Sequence, residues 1–336
     1  MSHLSSIFNV DQNSINRSSE VMDRADLTDT SHVILCMYVL TILLLGLLGN
    51  LFVLYSSLQH QALHLDKASL VMVHFLAVSD IVANLLIFLP MFVTLVAKRW
   101  VMGSGICGFV GFFFITPLQC DVMIILTASV YKIWMISRGS AGNINTKTIY
   151  TISAVNVLVS LFLPVYLISA GVAGSHEVSV EFDPQNIQCF STNMFPGRPY
   201  STFTMYYVAV FLGVPLFLIL SINSTIVVIV WATRRKVGRG IPRQTLVVLS
   251  AVSWLFIASY LPVIVMAVWF LVGDSSPPSW FQVFMMCSLG INISCNPLVY
   301  AASNRRFRRH VVVVCPFSTT RVTSNSIQRK PTTDPK

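Results

Sequence analysis

Long apolar runs separated by short polar connections set the plan of this chain. They cover about 33–58, 68–97, 107–134, 148–172, 201–232, 244–272 and 280–303, and each exceeds the roughly 20 residues that carry a helix across a bilayer's hydrocarbon core. The pattern predicts an all-α integral membrane protein, a bundle of seven transmembrane helices over 32–304. Short connections make sequence neighbours antiparallel and adjacent. The run at 107–134 is the one to read the others around, because it carries Asp121 near its middle and Tyr131 and Lys132 at its end. Wound as a helix, Phe114, Leu118, Asp121, Ile125, Ala128 and Lys132 fall on one face. A carboxyl group at membrane depth is costly and turns toward other helices or an internal cavity. This face therefore predicts a central helix that lines an interior.

Composition agrees with a membrane protein: 54% of residues are hydrophobic and 10% charged, against about 25% charged in an ordinary soluble domain. That excludes disorder and most soluble enzymes. The net charge of +9 would suit a nucleic acid, but its distribution points elsewhere. Arg234, Arg235, Lys236, Arg239 and Arg243 share one connection, and Arg305, Arg306, Arg308 and Arg309 follow the last run. Basic clusters beside spans mark the cytoplasmic side and meet anionic lipid there. The C-terminus is then cytoplasmic and the polar segment 1–31 extracellular, in a multi-pass protein of the cell membrane, with no nucleic-acid partner. Residues 1–31 lack the apolar core and cleavage site of a signal peptide. The sequon at Asn16 lies on the outer side, which agrees. Phe307 among the arginines, with the valines at 311–314, predicts a short amphipathic helix over 305–315 on the inner membrane surface. The Ser/Thr/Pro/Lys-rich remainder, 316–336, reads as a disordered cytoplasmic tail. Cys315 is either palmitoylated or a free thiol.

Several short motifs now fall in register. The first span holds Gly49-Asn50, and the second Leu76-Ala77-Val78-Ser79-Asp80. Trp100-Val101-Met102-Gly103 precedes Cys107. The fifth span has Pro215, and the sixth runs from Phe256 through Tyr260 to Pro262. The seventh ends Asn296-Pro297-Leu298-Val299-Tyr300, followed by Phe307. In this order the motifs resemble those of the rhodopsin-like (class A) G-protein-coupled receptors, over about 30–315. The physical reasons stand beside the resemblance. Pro215, Pro262 and Pro297 each remove a backbone donor inside a span and kink it, giving a switch its pivots. Asp80, Asn50, Asn292 and Asn296 supply polar groups that hydrocarbon would leave unsatisfied, so they are expected to converge. In the family that cluster binds a sodium ion; no other cofactor or metal is expected.

Cys107 and Cys189 are the two cysteines placed on the oxidising side, and a disulfide is expected between them. Other positions depart from the family. Its Asp-Arg-Tyr at the end of the third span is Tyr131-Lys132-Ile133 here, so the local ion-pair lock is absent. Tyr260 stands where tryptophan is usual, Asn223 where tyrosine is, and Asp121 where a small hydroxyl faces the sodium site. Asp80 and Asp121 are expected to face each other; two close carboxylates either share a proton or hold a cation.

The resemblance also bears on the ligand. Phe114 replaces the carboxylate of amine receptors, and the position matching the retinal lysine of opsins is Gly290. The expected pocket wall (Phe114, Leu118, Tyr207, Phe211, Tyr260, Ile264, Met286) is apolar and aromatic, suited to a lipophilic small molecule or the end of a peptide. The implied function is a receptor passing an extracellular ligand signal to a heterotrimeric G protein or arrestin. A second reading is a receptor-fold protein that binds, traffics or scaffolds without G proteins. A transporter ranks third, because its usual pair of interrupted helices in two related halves is not visible. An enzyme is not expected, since no nucleophile–base or metal-ligand spacing occurs.

Overall fold

The computed structural model describes residues 10–16, 29–60, 65–138, 144–172, 179–183, 187–191, 206–207, 209–232, 243–272, 278–304 and 307–308. Cys315, the basic connection at 233–242 and the segment beyond 308 lie outside the described residues. Among the described residues, seven helices are long and apolar enough to cross a membrane: Thr30–Leu58, Lys67–Ala97, Gly103–Arg138, Thr146–Ser169, Ala209–Ile229, Thr245–Trp269 and Trp280–Ser303. The third is central, packing against the second, fourth, fifth and sixth. Its predicted interior face is buried at Leu118, Asp121, Ile125, Ala128 and Lys132.

Helix ends follow local chemistry. Asp66 caps the second span by accepting from the Ser69 backbone N–H (3.1 Å) and hydroxyl (2.7 Å), which satisfies donors that a helix start leaves open. Asn145 caps the fourth by accepting from Lys147 N–H (3.0 Å). Beyond Asn304 helical backbone resumes at Phe307 and Arg308, with the Arg308 N–H on the Asn304 carbonyl (3.0 Å). Phe307 is buried, its ring edge-on to Phe52 at 5.6 Å.

Prolines explain much of the rest. A helical proline has no N–H for the carbonyl four residues earlier, which is left to find another donor. Pro90 frees the Leu86 carbonyl, which accepts from the Gln188 amide (3.0 Å). Pro297 frees the Ile293 carbonyl, which accepts from Asn50 of the first span (3.1 Å). π-helical turns precede two prolines, at Asn84–Phe88 before Pro90 and at Ala209–Gly213 before Pro215. The first and seventh spans meet closely: a Cβ on Gly49 would lie 2.8 Å from the Pro297 ring, so only glycine fits.

The apolar pattern does not show one element, a hairpin in the loop between the fourth and fifth spans. Strand β1 (Val180–Asp183) pairs antiparallel with β2 (Gln188–Ser191). The Cys107–Cys189 disulfide ties β2 to the start of the third span, with Cα atoms 5.3 Å apart. A short helix α1 (Gln12–Asn16) follows Val10, which bridges Val180 of β1 in parallel. Asp11 N–H donates to the Val180 carbonyl and Phe182 N–H to the Ser14 hydroxyl, each at 3.0 Å. Asn16 ends α1 with its side chain exposed.

Candidate functional site

Three layers stack along the third span, beginning at the disulfide end. The hairpin roofs the bundle: Phe190 of β2 meets Phe114 edge-on, ring centroids 4.7 Å apart. A Cβ on Gly111 would lie 2.5 Å from Val180 Cγ1 of β1, so a glycine lets the hairpin settle on the helix. Below the roof, Leu118, Tyr207, Tyr260 and Met286 are buried and Phe211 is half-buried. Tyr207 stacks on Phe211 at 4.5 Å and donates to Gln119 Oε1 at 3.0 Å. Tyr260 stacks on Phe256 at 4.2 Å and donates to the Leu118 carbonyl at 3.1 Å. Two expected wall residues sit apart. Ile264 is 37% exposed. Gly290 faces Phe88 and Ile42, whose atoms would lie 3.1 and 3.2 Å from an added Cβ.

The middle layer is polar. Asp80, Asp121, Asn50, Asn84, Asn292 and Asn296 are all buried. Asn296 donates to Asp80 Oδ2 at 2.8 Å, joining the seventh span to the second. Asp80 and Asp121 lie close enough to feel each other's charge. Ser79 stands beside Asp121, but its hydroxyl proton goes to the Pro117 carbonyl (3.1 Å), leaving both Asp121 oxygens without a donor. Asp80 Oδ1 and the side-chain oxygens of Asn50, Asn84 and Asn296 are likewise unpartnered, against one orphaned donor, Asn292 Nδ2. Such a surplus of buried acceptors around two carboxylates fits a cation or protons. The donor set thus suits the sodium ion the resemblance implies.

The third layer lies at the far end. Lys132 is fully buried and donates to Asn223 Oδ1 on the fifth span, and to Ser253 Oγ (2.9 Å) and the Leu249 carbonyl (3.3 Å) on the sixth. Asn223 in turn donates to Ser129 Oγ at 3.1 Å. None of the Lys132 partners is a carboxylate. Tyr131 turns the other way, donating to Asp66 Oδ2 at 2.7 Å. Tyr300 and Phe256 are buried.

Sequence reasoning missed Asn84, Gln119, Asp66, Ser129, Ser253 and Phe190. Asp66 carried a signal, since Asp followed three residues later by Ser before an apolar run marks a helix start. The others look like ordinary span or loop residues until the helices are assembled.

The model of the 7 transmembrane receptor (rhodopsin family) matches residues 49–300. No curated protein matches. Among solved structures, the crystal structure of squid rhodopsin is similar at 17% identity and a TM-score of 0.66, with 86% of each chain covered. The family match covers most of the chain, and the fold agrees with it. The chain belongs to the rhodopsin family of seven-transmembrane receptors.

Proposed function

We propose that this chain is a membrane receptor that transmits an extracellular ligand signal to cytoplasmic partners, with the disulfide end outside. What supports this reading is the double attachment of the sixth span to the third. Tyr260 holds the Leu118 carbonyl beside the apolar wall, and Lys132 holds Leu249 and Ser253 at the far end. A ligand that displaces Tyr260 changes the footing of the helix that Lys132 grips. Pro262, two residues beyond Tyr260, supplies the pivot between the two attachments and the outer end. A sodium ion would be held by Asp80, Asp121 and Asn296, its single charge offsetting one of the two carboxylates. The partners are a G protein or arrestin on the inner side, with membrane lipid around the spans.

Coupling is expected to be weak. Lys132 keeps the cation but not the planar five-donor fork of an arginine, and Tyr131 is engaged with Asp66. That same observation favours the second reading, a receptor-fold protein that binds or scaffolds without G proteins. Nucleotide exchange on several Gα subtypes, at matched surface expression, compares the wild type with Tyr131→Asp/Lys132→Arg. The restored variant should drive exchange more strongly. Equal exchange by both means that this end of the third span couples normally, and exchange by neither supports the second reading. A broad ligand screen read by G-protein and arrestin recruitment completes the test.

A further inference from the structure

One buried side chain joins the hairpin to the second span. Gln188, the first residue of β2, donates through Nε2 to the Leu86 carbonyl at 3.0 Å. A backbone carbonyl only accepts, so the amide nitrogen is the atom that faces it and the amide cannot be turned. Leu86 has no helical donor of its own, because Pro90 stands four residues on. Gln188 thus supplies the bond that the proline withholds.

Both ends of that bond lead further. Gln188 precedes Cys189, whose disulfide to Cys107 fixes β2 on the third span. Leu86 lies inside the π-helical turn Asn84–Phe88, where the Leu89 N–H donates to the Asn84 carbonyl. Asn84 opens the same turn and belongs to the polar layer. It is fully buried, its Nδ2 donates to the Asp80 carbonyl at 2.9 Å, and its amide leaves no room for a Cβ on Gly46 of the first span. Here too the acceptor is a carbonyl, which fixes the amide. Asp80 in turn accepts from Asn296 of the seventh span. The wide turn interrupts the regular winding and Pro90 removes a further rung, so this stretch of the second span is positioned by what holds it from outside.

We infer that Gln188 is a positioning residue for the cation site: through Leu86 and the wide turn it ties the hairpin to Asn84 and Asp80, so that the placement of the hairpin and the binding of sodium are coupled. The inference rests on the reading above that the polar layer holds a sodium ion, and it adds the element that regulates it. The competing role for Gln188 is a local strut, which stabilises the hairpin and has no effect on the ion.

Amide hydrogen exchange on the full-length, detergent-purified protein separates the two roles, with sodium replaced by N-methylglucamine at constant ionic strength. Coupling between two sites is reciprocal, so in the wild type sodium should slow exchange at the amides of β1 and β2. Gln188→Met keeps the length of the side chain and loses its donor. In that variant the slowing at the hairpin should disappear. Slowing at second-span amides around Asp80 should remain but need about three- to tenfold more sodium, the range that one neutral hydrogen bond gives. A local strut predicts instead that hairpin exchange speeds up equally in both salts, with the half-saturating sodium concentration unchanged. That result overturns the inference. So does a wild-type hairpin indifferent to sodium, or a hairpin that responds to sodium as strongly in Gln188→Met as in the wild type. The wild-type measurement stands by itself should Gln188→Met fail to fold. No ligand or G protein is present in either measurement. A hairpin that senses sodium in a protein that never drives nucleotide exchange therefore refutes signalling and leaves the role of Gln188 standing, and exchange driven by a protein whose hairpin ignores sodium does the reverse.

Discussion

Asn50 donates to the backbone carbonyl of Ile293 across the first and seventh spans, at 3.1 Å. That carbonyl needs an outside donor because Pro297, four residues on, has no N–H to give it. The pairing makes a specific prediction. Asn50→Ala should destabilise the protein by about 1–3 kcal/mol, the cost of leaving a buried acceptor unmade. Pro297→Ala restores the helical donor, so Asn50→Ala should cost less in that background. Thermal unfolding of the four proteins in a double-mutant cycle reads the coupling; additive losses would show that the two residues act independently.

Lys132 joins three spans through neutral acceptors, so each acceptor matters. Ser253→Ala and Asn223→Ala each leave a buried ammonium short of a partner, and each should cost about 1–3 kcal/mol. Lys132→Met removes the charge together with its desolvation, and should cost less than Asn223→Ala. Melting temperatures of the three variants check the order. Spin labels on the third and sixth spans at their Lys132 and Leu249 ends should report a longer separation in Ser253→Ala than in the wild type.

The two buried carboxylates give an ion-dependence prediction. At neutral pH, sodium should raise the melting temperature of the wild type relative to the same concentration of N-methylglucamine. Asp121→Ser lessens the charge the site must neutralise and should shrink that sodium-specific increment. The same increment in both proteins would remove Asp121 from the cation site.

Removing the disulfide as Cys107→Ala/Cys189→Ala releases a loop closed over a sequence separation of 82. A loss of about 2–4 kcal/mol is typical for such a cross-link. Mass mapping of surface-expressed protein should find both thiols of the wild type blocked to alkylation before reduction.

The contact of α1 with β1 predicts a pattern of backbone protection. Ser14→Ala removes the acceptor of the Phe182 N–H, so amide exchange at Phe182 should speed up. Exchange at residues deep in the third span, such as Ile125, should not change. A uniform increase throughout would indicate general loosening rather than loss of this one contact.

The seven-helix plan was legible because each span repeats one signal, a long apolar run, and nothing in the bundle contradicts it. Asp80, Asp121 and Lys132 were legible for the opposite reason, since charge at membrane depth stands out against hydrocarbon. The hairpin was not, because β1 and β2 are four residues each and gain their burial from the third span and α1. Gln119 was missed because one amide in an apolar run is unremarkable until its partners are counted. Asn223 read as the loss of a tyrosine, and its neighbours show it instead to be an acceptor for Lys132. The sequence supplies the groups; which of them meet depends on how the helices are rotated against one another.

The π-helical turn at Asn84–Phe88 has a bearing on how this protein tolerates change in length. A residue accommodated in a wider turn is one that the helix carries without advancing its regular winding. Deleting one residue there would let ordinary α-helix close the gap, while an insertion or deletion in a regular stretch swings everything beyond it by about 100°. The second span should therefore accept a single deletion between Asn84 and Phe88 and refuse the same deletion between Val71 and Ala77. The two halves of this helix, with Asp80 on one and Thr94 on the other, keep separate angular settings.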